Sequence, residues 1–330
     1  MSETVDEFMQ KPVKTYHCGK DAQRVKKTLT QAFVASSENK ATEEKASFEK
    51  IIDAVMKTKE GRSTLKALAD LGYTYAFERG KFGGFCNSIE KKIVINPALS
   101  FEYNVQTAVH EGRHAIQASL KSENVPLSCI MQTASYLRYS RAIEADASAH
   151  EAAFAYECKD ILPEVYQEAK KRNAPMFKAY VDEMEKSGNG RKAMQASFAA
   201  WYEYDYYRDF YDNDHKNMIK AVCDWGKKHK YGDFFREEYS GSDALKLCVY
   251  RGKPYMTEEF LNTGKAFSIS QKDKKDIAKM IKDYVKAVPE AKMDMSVLKM
   301  RERTASGELL PVQNDTAKIA LAAKLKAQGR

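Results

Sequence analysis

Five consecutive residues, His110-Glu111-Gly112-Arg113-His114, carry the sharpest chemical pattern in this 330-residue chain. On a helix, residues i and i+4 lie roughly 40° apart around the axis, so both imidazoles face the same way and suit one Zn2+ ion. Glu111, between them, sits where its carboxylate can take a proton from a water held by that ion. The chain contains six histidines, and such a pattern arises by chance in roughly one shuffled sequence of this kind in a hundred. A zinc-assisted hydrolysis with His110 and His114 as ligands and Glu111 as general base is the chemistry these residues predict.

A catalytic zinc site keeps one position for water and needs a third protein ligand. Glu144, Asp146, His150 and Glu151 are the candidates, all on the next long helical stretch. Glu144 is favoured because it opens an alanine-rich run (Ala145, Ala147, Ala149, Ala152, Ala153) that would let two helices approach closely. His150 projects roughly 120° away from Glu144 on an ideal helix, so the two do not serve one metal together. Asp146 and His150 are i, i+4 neighbours that would instead orient a ligand imidazole, or would be solvated polar positions. For the oxygen developing at an attacked carbonyl, Tyr204, Tyr207, Tyr211 and His215 are possible donors, although a helical aromatic run more often packs a core. His17 and His229 have no sequence partner and read as surface residues.

These side chains need elements to hold them. Helical spacing covers residues 21–36 and 42–59, with a shorter helix from Ser63 to Leu71 closed by Gly72. Tyr73–Phe77 and Lys92–Asn96 read as strands, separated by a loop rich in Gly80, Gly83 and Gly84. Ser100 is a plausible N-cap for a helix over 101–121 that carries the motif and buries Val105, Val109 and Ile116. Further helices are expected from Pro126 to Glu157 and over 163–186, 191–221, 271–287 and 316–327, with loops at 227–230 and 241–243. Strand signals nearly vanish beyond Asn96. The Lys92–Asn96 strand would line the cleft and accept a peptide by edge addition. The fold class is therefore α+β, predominantly α, with a small sheet.

The motif with a glutamate on a later helix resembles the gluzincin class of zinc metallopeptidases. More narrowly, Val94-Ile95-Asn96-Pro97, the stretch from His110 to Gln117, and the stretch from Arg141 to Ala147 are similar to an uncharacterised metallopeptidase-like domain of bacterial proteins. The resemblance spans about residues 60–215, at most to Tyr255. It implies a zincin-like core, His110, His114 and Glu144 as zinc ligands, Glu111 as base, and a peptide or protein as substrate. Many gluzincins read E-x-x-x-D, whereas Glu144 and Asp146 are two apart, which weakens the case for Asp146 as an orienting group.

The net charge of +8 first suggests an anionic partner, but residues 271–330 hold 14 basic and 8 acidic residues and leave only +2 elsewhere. Lys272, Lys274, Lys275, Lys279, Lys282 and Lys286 alternate with Asp273, Asp276 and Asp283, which reads as a solvated helix face. Nucleic acid is therefore a poor fit as partner, and no apolar stretch is long enough to span a membrane. The expected organisation is an N-terminal helical extension over 1–60, a zincin-like domain over 61–270 and a basic helical tail over 271–330. Six cysteines without a C-x-x-C pair, together with an N-terminus lacking an apolar core, predict reduced thiols in a cytoplasmic protein. Two rival functions follow from the same residues: a zincin fold that binds metal without proteolysis, and an adaptor acting through the tail.

Overall fold

The computed structural model describes residues 21–120, 128–304 and 308–310. The chain is α+β and predominantly helical. Its first part is α1 (Ala22–Gln31), β1 (Phe33–Val34), α2 (Ala41–Val55), α3 (Lys59–Leu71), β2 (Thr74–Phe77), β3 (Gly84–Asn87) and β4 (Lys92–Ile95). Then follow α4 (Phe101–Leu120), α5 (Thr133–Glu157), α6 (Pro163–Arg172), α7 (Ala174–Ser187), α8 (Gly190–Glu203) and α9 (Asp205–His229). The last described part holds α10 (Gly241–Leu245), β5 (Val249–Tyr250), β6 (Lys253–Pro254), α11 (Glu258–Leu261), β7 (Ser268–Ser270), α12 (Gln271–Ala287), α13 (Ser296–Lys299) and β8 (Arg301–Arg303).

Local chemistry accounts for several boundaries. Thr58 caps α3 by accepting from the Gly61 amide, so this helix starts four residues before Ser63. Gly72 closes it in the left-handed conformation, φ 74°. The Ser100 hydroxyl accepts from the Tyr103 amide at the start of α4, as its position predicts. Where expectation and structure differ, either tertiary pairing or a local cap or proline decides. Phe33 leaves the first helix to pair with β2 and stack on Phe48. The predicted helix over 163–186 breaks at Asn173, and the one over 191–221 breaks at Tyr204. Residues 227–229 continue α9 instead of forming a loop, and Ser240 with Asp243 forms a capping box that makes 241–245 helical. Short strands do occur beyond Asn96, as the pairs β5–β6 and β7–β8. Pro126 and the predicted helix over 316–327 lie outside the described residues.

The main sheet has the order β1-β2-β4-β3, parallel except for β3, which runs antiparallel to β4 with Gly84 opposite Ile95. β4 thus lies inside the sheet with its backbone pairing used on both sides. The expectation that Lys92–Asn96 would accept a peptide is overturned, because β3 is the terminal strand. Two glycine-rich positions hid it: Gly83 and Gly84 read as a loop, and the β4 ladder makes Gly84–Asn87 a strand.

Helix α4 packs against the sheet, α2, α3, α5 and α6. In α5, Ala142, Ala145, Ala149, Ala152 and Ala153 are all buried, and this small-residue surface lets α5 sit close to its neighbours. A second core forms where Ile277, Ile281 and Tyr284 of α12 meet Ile219 and Cys223 of α9. Lys272, Lys275, Lys279, Lys282 and Lys286 of α12 stay exposed. Residues from the last part also complete α5: Asp294 accepts from the Thr133 amide at 2.7 Å and Ser296 from the Ala134 amide at 3.1 Å. Arg141 of α5 and Arg303 of β8 both pair with buried Asp212. The described cysteines are unpaired, and no described helix is long and apolar enough to cross a membrane.

Gly112, inside the motif, packs closely against α3. A Cβ there would sit 2.6 Å from Thr64 Cγ2 and 3.1 Å from Leu68 Cδ1. Gly112→Val is expected to destabilise the protein by about 2 kcal/mol through overpacking, seen as a lower denaturation midpoint in urea. An unchanged midpoint would show that the two helices can part without cost.

Candidate metal centre

Both motif histidines project from α4 into a cleft of about 370 Å³, lined among others by Gly84, Phe85, Cys86, Glu111, Ile143, Glu144 and Tyr211. Their rings lie 4.9 Å apart. Glu144 approaches from α5, with His110 Nε2 and His114 Nε2 each 3.6 Å from one of its oxygens. One ligand atom from each of the three residues falls within 4.8 Å of the others. A separation of 3.6 Å is too long for a hydrogen bond and close to the roughly 3.3 Å between two ligands of one tetrahedral zinc. The donor set therefore fits a divalent cation with nitrogen and oxygen ligands.

The other ring nitrogens are engaged. His110 Nδ1 meets Glu151 Oε2 at 3.0 Å, and His114 Nδ1 meets Gln117 Oε1 at 2.8 Å. With acceptors on Nδ1, each ring keeps a proton there, so Nε2 is the nitrogen that can give up its proton to a metal in the cleft. Glu151 is in turn faced by Arg172 at 3.5 Å, and Arg172 lies over the Tyr103 ring and donates to Thr107. The break at Asn173 ends α6 just after Arg172 and so bears on how this guanidinium reaches the site.

Three carboxylates crowd this space, and their field is felt by every neighbour. Burial alone would lower the His110 pKa, but Glu144 and Glu151 outweigh it and push it up to about 10. His114 shifts upward in the same way, burial being overcome by Glu144. Glu144 is held well below the usual carboxylate range by His114 and His110 despite its burial. Glu111 moves the other way, raised mainly by burial, which makes it a stronger base than an exposed glutamate. The site is a concentration of negative charge that favours a cation, and such an ion competes with protons for both imidazoles.

The other candidates fall elsewhere. Asp146 accepts from Arg113, Gln117 and Tyr255, while His150 meets Glu60 at 2.5 Å and the Val249 carbonyl at 3.1 Å. Both stand apart from the three-residue cluster. Of the aromatic run, Tyr211 lines the cleft, with its hydroxyl against Glu144. Burial and that carboxylate push its phenol far above the ordinary value, so it stays a proton donor. Tyr207 donates to Asn173 at 2.7 Å, and Trp201 and Tyr202 are core residues. His215 is 1% exposed, stacks on Tyr136 and does not line the cleft. His229 is exposed and stacks on Trp225, and His17 lies outside the described residues. Cys86 lines the cleft, but burial pushes its thiol up to about 12, which disfavours the thiolate. Arg172 and the orienting role of Glu151 had no signal in the sequence, since no spacing rule links them to the motif; Gln117, three residues past His114 on the same helix, could have been found from that spacing.

A family model described as "Putative metallopeptidase family (DUF6782)" matches residues 23–232. The chain belongs to that family. The matched stretch runs from α1 to just past α9 and contains all three residues of the cluster, together with Glu111. No curated protein and no solved structure matches the chain.

Two outcomes follow from the charges. Arg172→Met leaves the buried Glu151 carboxylate without its guanidinium and is expected to destabilise the fold by about 3–5 kcal/mol, measured by chemical denaturation at pH 7; a loss below about 1 kcal/mol would show that His110 alone neutralises Glu151. Burial holds His215 neutral down to about pH 3, against an unfolded value of 6.5, with Asp212 and Arg141 its charged neighbours. The unfolded chain therefore binds a proton that the native state refuses, and stability drops as pH falls from 6.5 towards 3. His215→Phe should flatten that acid-side loss.

Proposed function

We propose that this chain is a zinc-dependent metallopeptidase with a zincin-like core, in which His110, His114 and Glu144 hold the ion and Glu111 is the general base. The observation that carries this is the convergence of both imidazole Nε2 atoms and the Glu144 carboxylate on one point of a cleft, with raised-pKa Glu111 beside it. Membership of a family described as metallopeptidase agrees with it.

Bound there, zinc supplies a Lewis acid for the substrate carbonyl and brings the pKa of a water towards neutrality. The chain's own groups do the rest. Glu111 takes the proton of the attacking water and passes it to the leaving amine. Among the described residues no side chain hydrogen-bonds to its carboxylate, so it is available for that task. Tyr211 donates to the oxygen that develops charge, from a phenol whose pKa keeps its proton in place. The substrate peptide adds to the outer edge of β3, which Gly84 lets pack closely on α4: a Cβ there would meet Thr107 Cγ2 at 2.5 Å and Glu111 Cγ at 3.2 Å. The glycine thus brings the β3 backbone beside the base.

The purified chain is expected to hold one zinc, to lose it in His110→Ala and Glu144→Ala, and to keep it in His150→Ala. A peptide-library cleavage assay should show Glu111→Gln slower by about 10²–10⁴-fold. Hydrolysis that survives Glu111→Gln unchanged, or a chain without stoichiometric zinc, sinks the reading; zinc uptake without cleavage would leave a metal-binding module.

A further inference from the structure

Behind the cleft, Asp146 is 0% exposed and accepts from three side chains. Arg113 Nε donates to its Oδ2 at 2.6 Å, Gln117 Nε2 to the same oxygen at 2.7 Å, and Tyr255 Oη to Oδ1 at 2.8 Å. Arg113 also donates to the Leu247 carbonyl at 2.7 Å, and Gln117 Nε2 to the Ile143 carbonyl at 2.8 Å. Gln117 is therefore held in one sense. Its amide nitrogen faces two groups that can only accept, so the amide cannot flip, and its oxygen must point at His114 Nδ1. An oxygen there obliges Nδ1 to keep a proton and leaves Nε2, on the side of Glu144, as the nitrogen available to a metal.

We propose that Asp146 and Tyr255 are positioning residues that fix the orientation and tautomer of His114 through Gln117. The inference rests on His114 being a metal ligand and goes beyond it. It assigns a role to a segment outside the family-matched residues 23–232, since Tyr255, Leu247 and Val249 all anchor this network. It also explains a carboxylate two residues from Glu144 that points away from the cluster: Asp146 acts on the imidazole at one remove, where Glu151 touches His110 directly. Burial and the Asp146 charge keep the Tyr255 phenol protonated, so its hydroxyl donates and holds the carboxylate in place.

The test is the affinity of the full chain for Co2+ alone, followed by its visible absorption, in a double-mutant cycle. Gln117→Leu should weaken binding about 10–100-fold at unchanged 1:1 stoichiometry, and Tyr255→Phe about tenfold, with altered cobalt bands. In the Gln117→Leu background, Tyr255→Phe should cost nothing more, because its route to His114 is already cut. Tyr250→Phe, buried in the same segment but not bonded to Asp146, should bind Co2+ like the wild type. A Tyr255→Phe affinity equal to wild type, or a loss that persists without Gln117, overturns the relay while leaving the ligand assignment intact. A wild-type chain that takes up no Co2+ overturns the ligand assignment and the relay with it.

Discussion

Three acids on α5 crowd the seam between α4 and α5, Asp146 and Glu151 fully buried and Glu144 at the cleft, and each has to be neutralised there. An isolated buried carboxylate costs several kcal/mol, so the seam exists only where cations and donors stand opposite. Glu144 meets the two imidazoles, Asp146 meets Arg113, and Glu151 meets His110 and Arg172. Three of these four partners, His110, Arg113 and His114, belong to the five-residue motif itself. The same residues that present the cleft therefore also hold the helices that form it.

Much of the surrounding architecture serves that seam. The alanines of α5 allow the approach, Gly112 lets α3 close over α4 from another side, and Gly84 brings the terminal strand against Glu111. The N-terminus of α5 is capped by Asp294 and Ser296, and Arg303 joins Arg141 on Asp212. Residues far along the chain thus stabilise the helix that supplies Glu144. The exposed lysines of α12 take no part in this. They account for much of the charge beyond residue 270 while Ile277, Ile281 and Tyr284 do the packing.

The legibility of each part follows from the range of the forces involved. A helix repeats every 3.6 residues, so the shared direction of His110 and His114 could be read from spacing alone, and so could the caps at Ser100 and Gly72. The alanine run pointed at Glu144 because close packing needs small side chains. β3 was hidden because Gly83 and Gly84 have weak strand preference and become a strand only through the β4 ladder. The break at Tyr204 was hidden for a related reason, since the helical pattern continues through it; the break at Asn173 had a local signal in Pro175, which starts α7 and cannot continue α6.

What the amino-acid order determined by itself is local: a helical H-E-x-x-H motif, a glutamate on a small-residue helix and a strand-poor α+β chain. What only the tertiary structure decided is which distant groups complete the site. Glu151 reaches His110 across 41 positions, and Tyr255 reaches Asp146 across 109. Their roles depend on distance and on the low dielectric of a shared interior, which no periodicity along the chain encodes.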